Sequence, residues 1–454
     1  MSNFYFIYQN TQFNDYTQTQ KKVKGYYKYL LTVEIMVNIF LHNLIRLITD
    51  FVLIFIFIKF RYKPRIDKKI PLTKKQEDEL IESFQPKPII DINLTKGLNF
   101  GSKVYNCNLL DFCDYDFFNL KTSNKKKLSE IIKEYGIGTC GPRGFYGTLD
   151  LHIILEKILA NICHKEAAVL YSNHFTCVNS LISCFVKSYD TIFYHKDASE
   201  PILRGIECSN ASSIEFYDLK SLETKIKMFK SKTQRNFLII EEIFKNTGLR
   251  PDINLYLKIC MENNFFFILD RSQTFPFMEI SSDILKKVDI IIGSLNGALC
   301  SSGAFVATNF REAEYQTLAS PSYCFSASSP AYLTGNAILN LQRYLSFPLK
   351  KISYFRFLFQ KFNKTNFKLN LENDHPVIFV YRDFYDITFY EEINICINIK
   401  KNMENKGFRI GLMRVPSPRI RICLKSNVTR RVMEYFVAKF VDCLYENLQK
   451  NNKN

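Results

Sequence analysis

From about residue 136 the chain alternates short apolar runs with segments of helical periodicity. The runs fall at 167–171, 191–194, 213–217, 237–240, 265–269, 289–293 and 304–307. Strands that alternate with helices predict an α/β unit built on a mostly parallel sheet, covered on both faces. Ligands in such sheets lie beyond the carboxyl ends of the strands. Past about residue 345 the pattern changes. Residues 376–381, 387–390 and 419–422 read as strands and 429–444 as a closing helix, which predicts a smaller α+β lobe. No internal repeat is present.

Ahead of this lies a different pattern. Residues 35–58 are apolar and end in the run Phe51-Val-Leu-Ile-Phe-Ile-Phe-Ile58. That length suits one membrane-spanning helix. Asn38, His42, Asn43, Arg46 and Asp50 interrupt it. Arg46 and Asp50 are four apart and share a helical face, so they can pair. The run begins late and no small-residue cleavage site follows, so it is not expected to be a secretory signal. Lys59, Arg61, Lys63, Arg65, Lys68 and Lys69 follow it, which by the positive-inside rule puts the globular part in the cytosol. Lys21, Lys22, Lys24 and Lys28 make the other flank basic as well. A helix lying in the membrane interface is the rival reading. The expected organisation is an N-terminal region at 1–60, a basic connector at 61–95, a large domain at 96–344 and a small domain at 345–454. The connector includes a short helical stretch at 72–84 and the Pro-broken Gln85-Pro-Lys-Pro88.

Composition narrows the class. At 454 residues, 47% hydrophobic and 23% charged, the chain is globular and long enough for two lobes. A net charge of +17 suits an anionic membrane surface or an anionic substrate such as an acyl-CoA. Lysine overuse throughout the chain explains it equally well. No nucleic-acid module is present, and Tyr and Phe are dispersed rather than set out as a stacking platform. The 13 cysteines are odd in number and form no C-x-x-C pair, which argues against a disulfide framework or a zinc site and for a reducing compartment. His152, His164, His174, His195 and His375 show no metal spacing and read as structural or surface residues; no metal is expected.

Three segments carry candidate chemistry. Gly136-Ile-Gly-Thr-Cys-Gly141 matches G-x-G-x-x-G by letter, but a charged helical stretch at 125–135 precedes it where a dinucleotide site needs a strand. Gly136, Gly138, Gly141, Gly144 and Gly147 instead predict a tight loop with close backbone approaches. Asp270 ends the run at 265–269, where a carboxylate points into the ligand crevice of a parallel sheet; a helix cap or ion-pair partner fits it as well. The strand at 289–293 leads into a small-residue loop, and no lysine lies between Lys287 and Phe305.

Tyr135-Gly-Ile-Gly-Thr-Cys-Gly-Pro-Arg-Gly-Phe-Tyr-Gly-Thr148 and Tyr323-Cys-Phe-Ser-Ala-Ser-Ser-Pro330 resemble signature segments of the long-chain-base 1 subunits of serine palmitoyltransferase. The connector at 72–88 is similar too, and the resemblance runs over roughly 45–445. These subunits belong to the α-oxoamine synthases, with the fold-type I architecture of pyridoxal-phosphate enzymes. The resemblance implies a condensation of L-serine with palmitoyl-CoA to 3-ketodihydrosphingosine, the first step of sphingolipid biosynthesis, at the endoplasmic reticulum membrane. It also implies a catalytic long-chain-base 2 partner subunit that holds the pyridoxal phosphate.

Laid against catalytic members, the Schiff-base lysine falls on Gly297. The cofactor-stacking His falls on Asp197, and the His of Asp-Glu-Ala-His falls on Gln273, while Asp270 is kept. Arg421 falls on the arginine that binds the substrate carboxylate. The resemblance therefore implies that these five positions are vestigial and that the chain alone is inactive. It places Cys140, Arg143, Ser326 and the Ala327 N–H at the partner's site. There Ser326 and Ala327 face a cofactor phosphate, Cys140 packs or lines the substrate, and Arg143 either holds an anion or braces the loop. Two alternatives remain: an independent pyridoxal-phosphate acyltransferase with an unconventional lysine, nearest Lys287, or a non-enzymatic membrane scaffold.

Overall fold

The computed structural model describes residues 3–61, 73–83, 109–360, 367–382, 388–414 and 417–451. It resolves into two compact units, Met1–Val104 and Tyr105–Asn454.

In the first unit, α1 (Asn3–Arg61) is one continuous helix. Its segment Lys28–Phe57 is long and apolar enough to cross a membrane, by length and composition. At 30 residues it extends roughly 45 Å, beyond the ~30 Å hydrocarbon core. Arg46 and Asp50 make no ion pair with each other. The short helix α2 (Lys74–Ser83) starts where Thr73 and Gln76 cap one another. The Thr73 N–H donates to Gln76 Oε1 at 3.0 Å and the Gln76 N–H to Thr73 Oγ1 at 3.4 Å. The rest of the basic connector, including Lys63, Arg65, Lys68, Lys69 and Gln85–Pro88, lies outside the described residues.

The second unit is organised by a seven-stranded sheet. Its strands are β1 (Ala167–Tyr171), β2 (Thr191–His195), β3 (Ser212–Phe216), β4 (Asn236–Glu241), β5 (Phe266–Asp270), β6 (Ile290–Ser294) and β7 (Ala304–Thr308). They lie in the order β1-β7-β6-β5-β4-β2-β3. All pairings are parallel except those of β7, which runs antiparallel to both its neighbours. Every residue of β4, β6 and β7 is buried, as expected of strands covered on both faces. The carboxyl ends of β1, β2, β4, β5 and β6 therefore share one edge, with Glu241 in register beside Asp270.

Helices α3 (Lys125–Tyr135), α4 (Asp150–Ile162), α5 (His174–Phe185) and α6 (Ala331–Leu341) belong to this part. Where α3 crosses α6, a Cβ on Gly335 would sit 2.4 Å from the Ile131 terminal methyl; glycine there lets the two helices approach. A separate four-stranded sheet in the same unit is formed by β8 (Phe367–Leu369), β9 (Val377–Arg382), β10 (Gly411–Met413) and β11 (Arg419–Cys423), in the antiparallel order β10-β11-β9-β8.

Of the strand expected at 387–390, residue 387 lies outside the described residues and the rest is not a strand. Phe389 and Tyr390 open helix α7 (Phe389–Asn405), capped by Thr388 and Glu391 in a reciprocal box. The closing helix α8 (Arg430–Asn451) presents Phe436 and Phe440 to the core. Phe436 stacks on Phe112 at 4.2 Å between ring centroids, which ties the start of this unit to its last helix. With no tryptophan in the chain, phenylalanine fills the large core positions: among the described residues, the twelve bulkiest fully buried side chains are all Phe.

Candidate functional site

At the carboxyl edge of β5 and β6 lies a cavity of about 220 Å³, lined by Tyr115, His174, Lys245, Ser272, Gln273 and Gly297 among others. His174 is the first residue of α5, whose N-terminus is capped by Asn173. Its Nε2 lies 2.6 Å from Ser272 Oγ. Ser272 in turn donates its backbone N–H to Asp270 Oδ1 at 2.8 Å. Burial lowers the His174 imidazole below its ordinary range, against the pull of the Asp270 charge, with Lys245 pushing the same way as burial. Asp270 is 3% exposed, and its Oδ2 has no partner among the described residues.

Beside Asp270, Glu241 accepts the Ser199 N–H at 2.8 Å. Burial, then the Asp270 charge, pushes the Glu241 carboxyl up to about 8. Asp197 sits at the end of β2, donating its N–H to His195 Nδ1 at 3.1 Å. His195 stacks on Phe244 at 4.3 Å. Gly297 has φ +56°, and a Cβ there would lie 3.7 Å from Tyr115 Cβ. Tyr115 also receives Arg421: the guanidinium donates to its hydroxyl at 3.3 Å and to the Cys113 carbonyl at 3.1 Å, with its centre 5.0 Å from the ring. Arg421 is thus held by protein partners. Lys287 ends the helix ahead of β6, at the edge opposite the cavity.

The second locus is the glycine loop. Cys140 has φ +58° and an exposed side chain. A Cβ on Gly147 would meet the Gly141 carbonyl oxygen at 1.9 Å, and one on Gly141 would meet the Tyr146 ring at 2.3 Å, so two chain segments touch where only glycine fits. The loop pairs with 326–329. Pro142 and Ala327 form an antiparallel bridge, the Ser328 N–H donates to the Gly141 carbonyl at 3.0 Å, and Thr139 Oγ1 donates to the Ser328 carbonyl at 3.1 Å. The two motifs, far apart in sequence, are therefore one surface that carries Cys140, Ser326 and Ala327. Around them Ile137, Phe145, Tyr146 and Phe325 stand exposed.

Arg143 does not face outward with them. It is buried, and its guanidinium makes a two-pronged ion pair with Glu156 of α4 at 2.8 and 2.9 Å while donating to Thr148 Oγ1 at 3.0 Å. Glu156 also accepts the Leu170 N–H of β1 at 2.8 Å. Of the two roles left open for Arg143, the geometry is that of a brace.

Of the positions singled out in the sequence, Gln273 and Gly297 line this cavity, while Asp270 holds the lining residue Ser272 with Glu241 in register beside it. His174 was read as structural or surface, and Tyr115, Lys245 and Glu241 were not singled out. The acidic pair Glu241-Glu242 closing an apolar strand was an available signal. Glu242 pairs with Arg271 and Arg250, each at 2.8 Å. Burial pushes its carboxyl up, but Arg271, Thr274 and Arg250 together hold it below the ordinary range.

No family model matches the chain. It is 29% identical over 314 residues to long chain base biosynthesis protein 1 of Arabidopsis thaliana, covering 63% of this chain and 64% of that protein. It is 30% identical over 337 residues to serine palmitoyltransferase 1 of Dictyostelium discoideum, covering 68% and 69%. The match to serine palmitoyltransferase 1 of Saccharomyces cerevisiae is 28% over 313 residues, covering 58% and 55%. The chain thus spans less than two thirds of the Arabidopsis and yeast proteins. Among solved structures, serine palmitoyltransferase of S. paucimobilis, bound to a PLP–myriocin aldimine, superposes with a TM-score of 0.69 at 15% identity, over 75% of this chain and 88% of that one. An 8-amino-7-oxononanoate synthase from Francisella tularensis gives 0.62 at 18%, over 76% and 100%. These likenesses establish the fold as that of fold-type I pyridoxal-phosphate transferases. With 30% identity across more than two thirds of the Dictyostelium protein, the chain belongs to the serine palmitoyltransferase 1 family, also named long chain base biosynthesis protein 1.

Proposed function

We propose that this chain is the membrane-anchored, non-catalytic subunit of a heteromeric serine palmitoyltransferase. Its partner, a long-chain-base 2 subunit, holds pyridoxal phosphate and condenses L-serine with palmitoyl-CoA at the endoplasmic reticulum membrane. The observation that carries this reading is Gly297. It stands in the loop after β6, on the cavity at the carboxyl edge, and it has no amine with which to hold an aldehyde.

The surroundings do not fit a covalently held cofactor either. Arg421 is bound to Tyr115 and Cys113. Asp197, in the place of a stacking imidazole, is a carboxylate. Asp270 is the one position that still suits a pyridinium nitrogen.

The other locus supports the supporting role. A glycine loop that tolerates no side chain at 147, braced by the buried Arg143–Glu156 pair, presents Cys140, Ser326 and Ala327 on a surface with exposed aromatic residues. Aromatic residues of this kind are enriched at protein interfaces. In this reading the surface docks on the partner, with the Ser326 hydroxyl and Ala327 N–H offered to the partner's anionic cofactor group.

The test is co-expression with a candidate long-chain-base 2 subunit and purification through a tag on this chain. Absorbance at the aldimine band and serine-dependent CoA release from palmitoyl-CoA are then recorded. Both signals are expected from the complex and neither from this chain alone. Turnover by the partner without this chain, or an aldimine band from this chain alone, would refute the proposal.

A further inference from the structure

We infer that a basic face of the second unit, centred on Leu345, rests on an anionic phospholipid bilayer, with the Leu345 side chain entering the headgroup layer. The inference goes beyond the subunit reading and rests only on one part of it, that α1 anchors the chain in a membrane. Leu345 is 85% exposed, the most exposed large apolar side chain among the described residues. It stands in a short helical turn, Tyr344–Ser346, between α6 and the helix Leu349–Gln360. Phe347, two residues on, is buried and stacks on Phe118 at 4.1 Å between ring centroids. The turn is thus pinned to the core while Leu345 is left outside.

Separate stretches of chain bring cations to this turn. Asn124 donates to Asn336 and Asn340 of α6 at 2.9 and 2.8 Å, which sets Lys125, Lys126 and Lys127 beside the end of α6. Arg343 and Lys350 flank Leu345 along the chain. These five side chains are exposed and make no ion pair among the described residues. The acids near them are mostly taken. Asp114 pairs with Lys121 at 4.0 Å and with Lys425, and Glu434 pairs with Arg430 at 2.8 Å. Exposed Glu130, one turn along α3 from Lys126, offsets one charge, and the face stays cationic.

A single exposed apolar side chain is ordinary on a protein surface. One that protrudes among uncompensated cations has the chemistry of interfacial membrane contact: the apolar group enters the acyl boundary and the ammonium groups meet lipid phosphates and carboxylates. A protein partner fits less well, because protein interfaces are depleted of lysine, the residue that dominates here. Each Lys or Arg near an anionic leaflet favours contact about fivefold. With α1 as a tether, the contact need not hold the chain by itself. It holds the second unit against the membrane surface.

The chain has no tryptophan, so Leu345→Trp supplies a single fluorophore at an exposed position. The full-length variant is reconstituted in liposomes of phosphatidylcholine with or without phosphatidylserine. Leu318→Trp, at a position 78% exposed, serves as the comparison. With phosphatidylserine, the Leu345→Trp emission should move to the blue and be quenched by brominated acyl chains, and the Leu318→Trp emission should do neither. Raising salt from about 0.1 M to about 1 M shortens the screening length from about 10 Å to about 3 Å and should reverse both changes. Adding Lys125→Gln, Lys126→Gln and Lys127→Gln, all at exposed positions, should lower the contact equilibrium about a hundredfold, roughly fivefold for each charge. No blue shift in phosphatidylserine liposomes would overturn the inference, as would an equal shift in phosphatidylcholine alone or after the three lysine changes. A shift that appears only with a co-expressed partner would overturn it too, by making the face a protein interface. Flotation separates this inference from the anchor. Chain that floats with the liposomes but shows no shift leaves the anchor standing and refutes the lipid-facing patch. Chain that does not float refutes the anchor and the inference with it.

Discussion

Replacing Arg143 with methionine removes the guanidinium but leaves Glu156 with a side chain only 17% exposed and no cation. Breaking a buried ion pair on one side costs about 3–5 kcal/mol, whereas removing both charges is close to neutral. The second unit has roughly 350 residues, and unfolding entropy is about 2.1 cal/mol/K per residue. The expected fall in melting temperature is therefore about 4–7 °C. Because the chain has no tryptophan, far-ultraviolet circular dichroism is the suitable readout.

Adding Glu156→Gln should recover most of the loss, because glutamine keeps an oxygen for the Leu170 N–H and removes the stranded charge. A coupling energy of about 2 kcal/mol or more between the two sites is expected from their direct contact. Activation of the co-expressed partner should follow the same pattern, lost in the single variant and largely restored in the double. If Arg143 instead held a substrate anion, Arg143→Met would leave the melting temperature within about 1 °C and abolish activity, and Glu156→Gln would not rescue it. That outcome would refute the brace.

Gly147→Ala forces a methyl into the Gly141 carbonyl, a main-chain group that cannot rotate away. The cost should exceed the ~1–3 kcal/mol of ordinary overpacking, and limited proteolysis should cut the loop at 136–148 faster than in the parent. For Glu241, folding raises the carboxyl to about 8 by burial and the neighbouring Asp270, so its contribution is fully present below the ordinary carboxylate value and lost as pH rises toward 8. Glu241→Gln should thus gain stability relative to the parent between pH 5 and pH 8; a stability difference that stays flat across this range contradicts the raised carboxyl. Phe436→Ala opens a cavity against Phe112 and should cost about 3–5 kcal/mol, read from chemical denaturation. Deleting Lys28–Phe57 should release the chain from membranes washed with alkaline carbonate, and retention would remove α1 as the anchor.

The local features were legible wherever one segment decides its own structure. Residues 125–135 form a helix because Leu128, Ile131 and Ile132 recur at helical spacing, and α3 spans Lys125–Tyr135. The continuous apolar run ahead of Asp270 became a strand buried on its inner length. At 387–390 the β-branched and aromatic residues misled, although the Thr388–Glu391 capping box was in plain sight. Local hydrogen bonding at a helix start outweighed strand propensity there.

What the sequence determined by itself was the kind of structure and the missing chemistry. An apolar N-terminal helix, alternating strands and helices, a glycine loop, and a loop after β6 with no lysine can each be read from adjacent residues, because periodicity, backbone freedom and the presence of an amine are local properties. Only the tertiary structure decided which residues meet. It inserted β7 antiparallel between β1 and β6, seated the glycine loop on 326–329, turned Arg143 inward to Glu156, and set Tyr115 and Lys245 beside Gly297. Those choices depend on packing and on pairing buried charges between separate elements, which the local pattern of neighbouring residues does not specify.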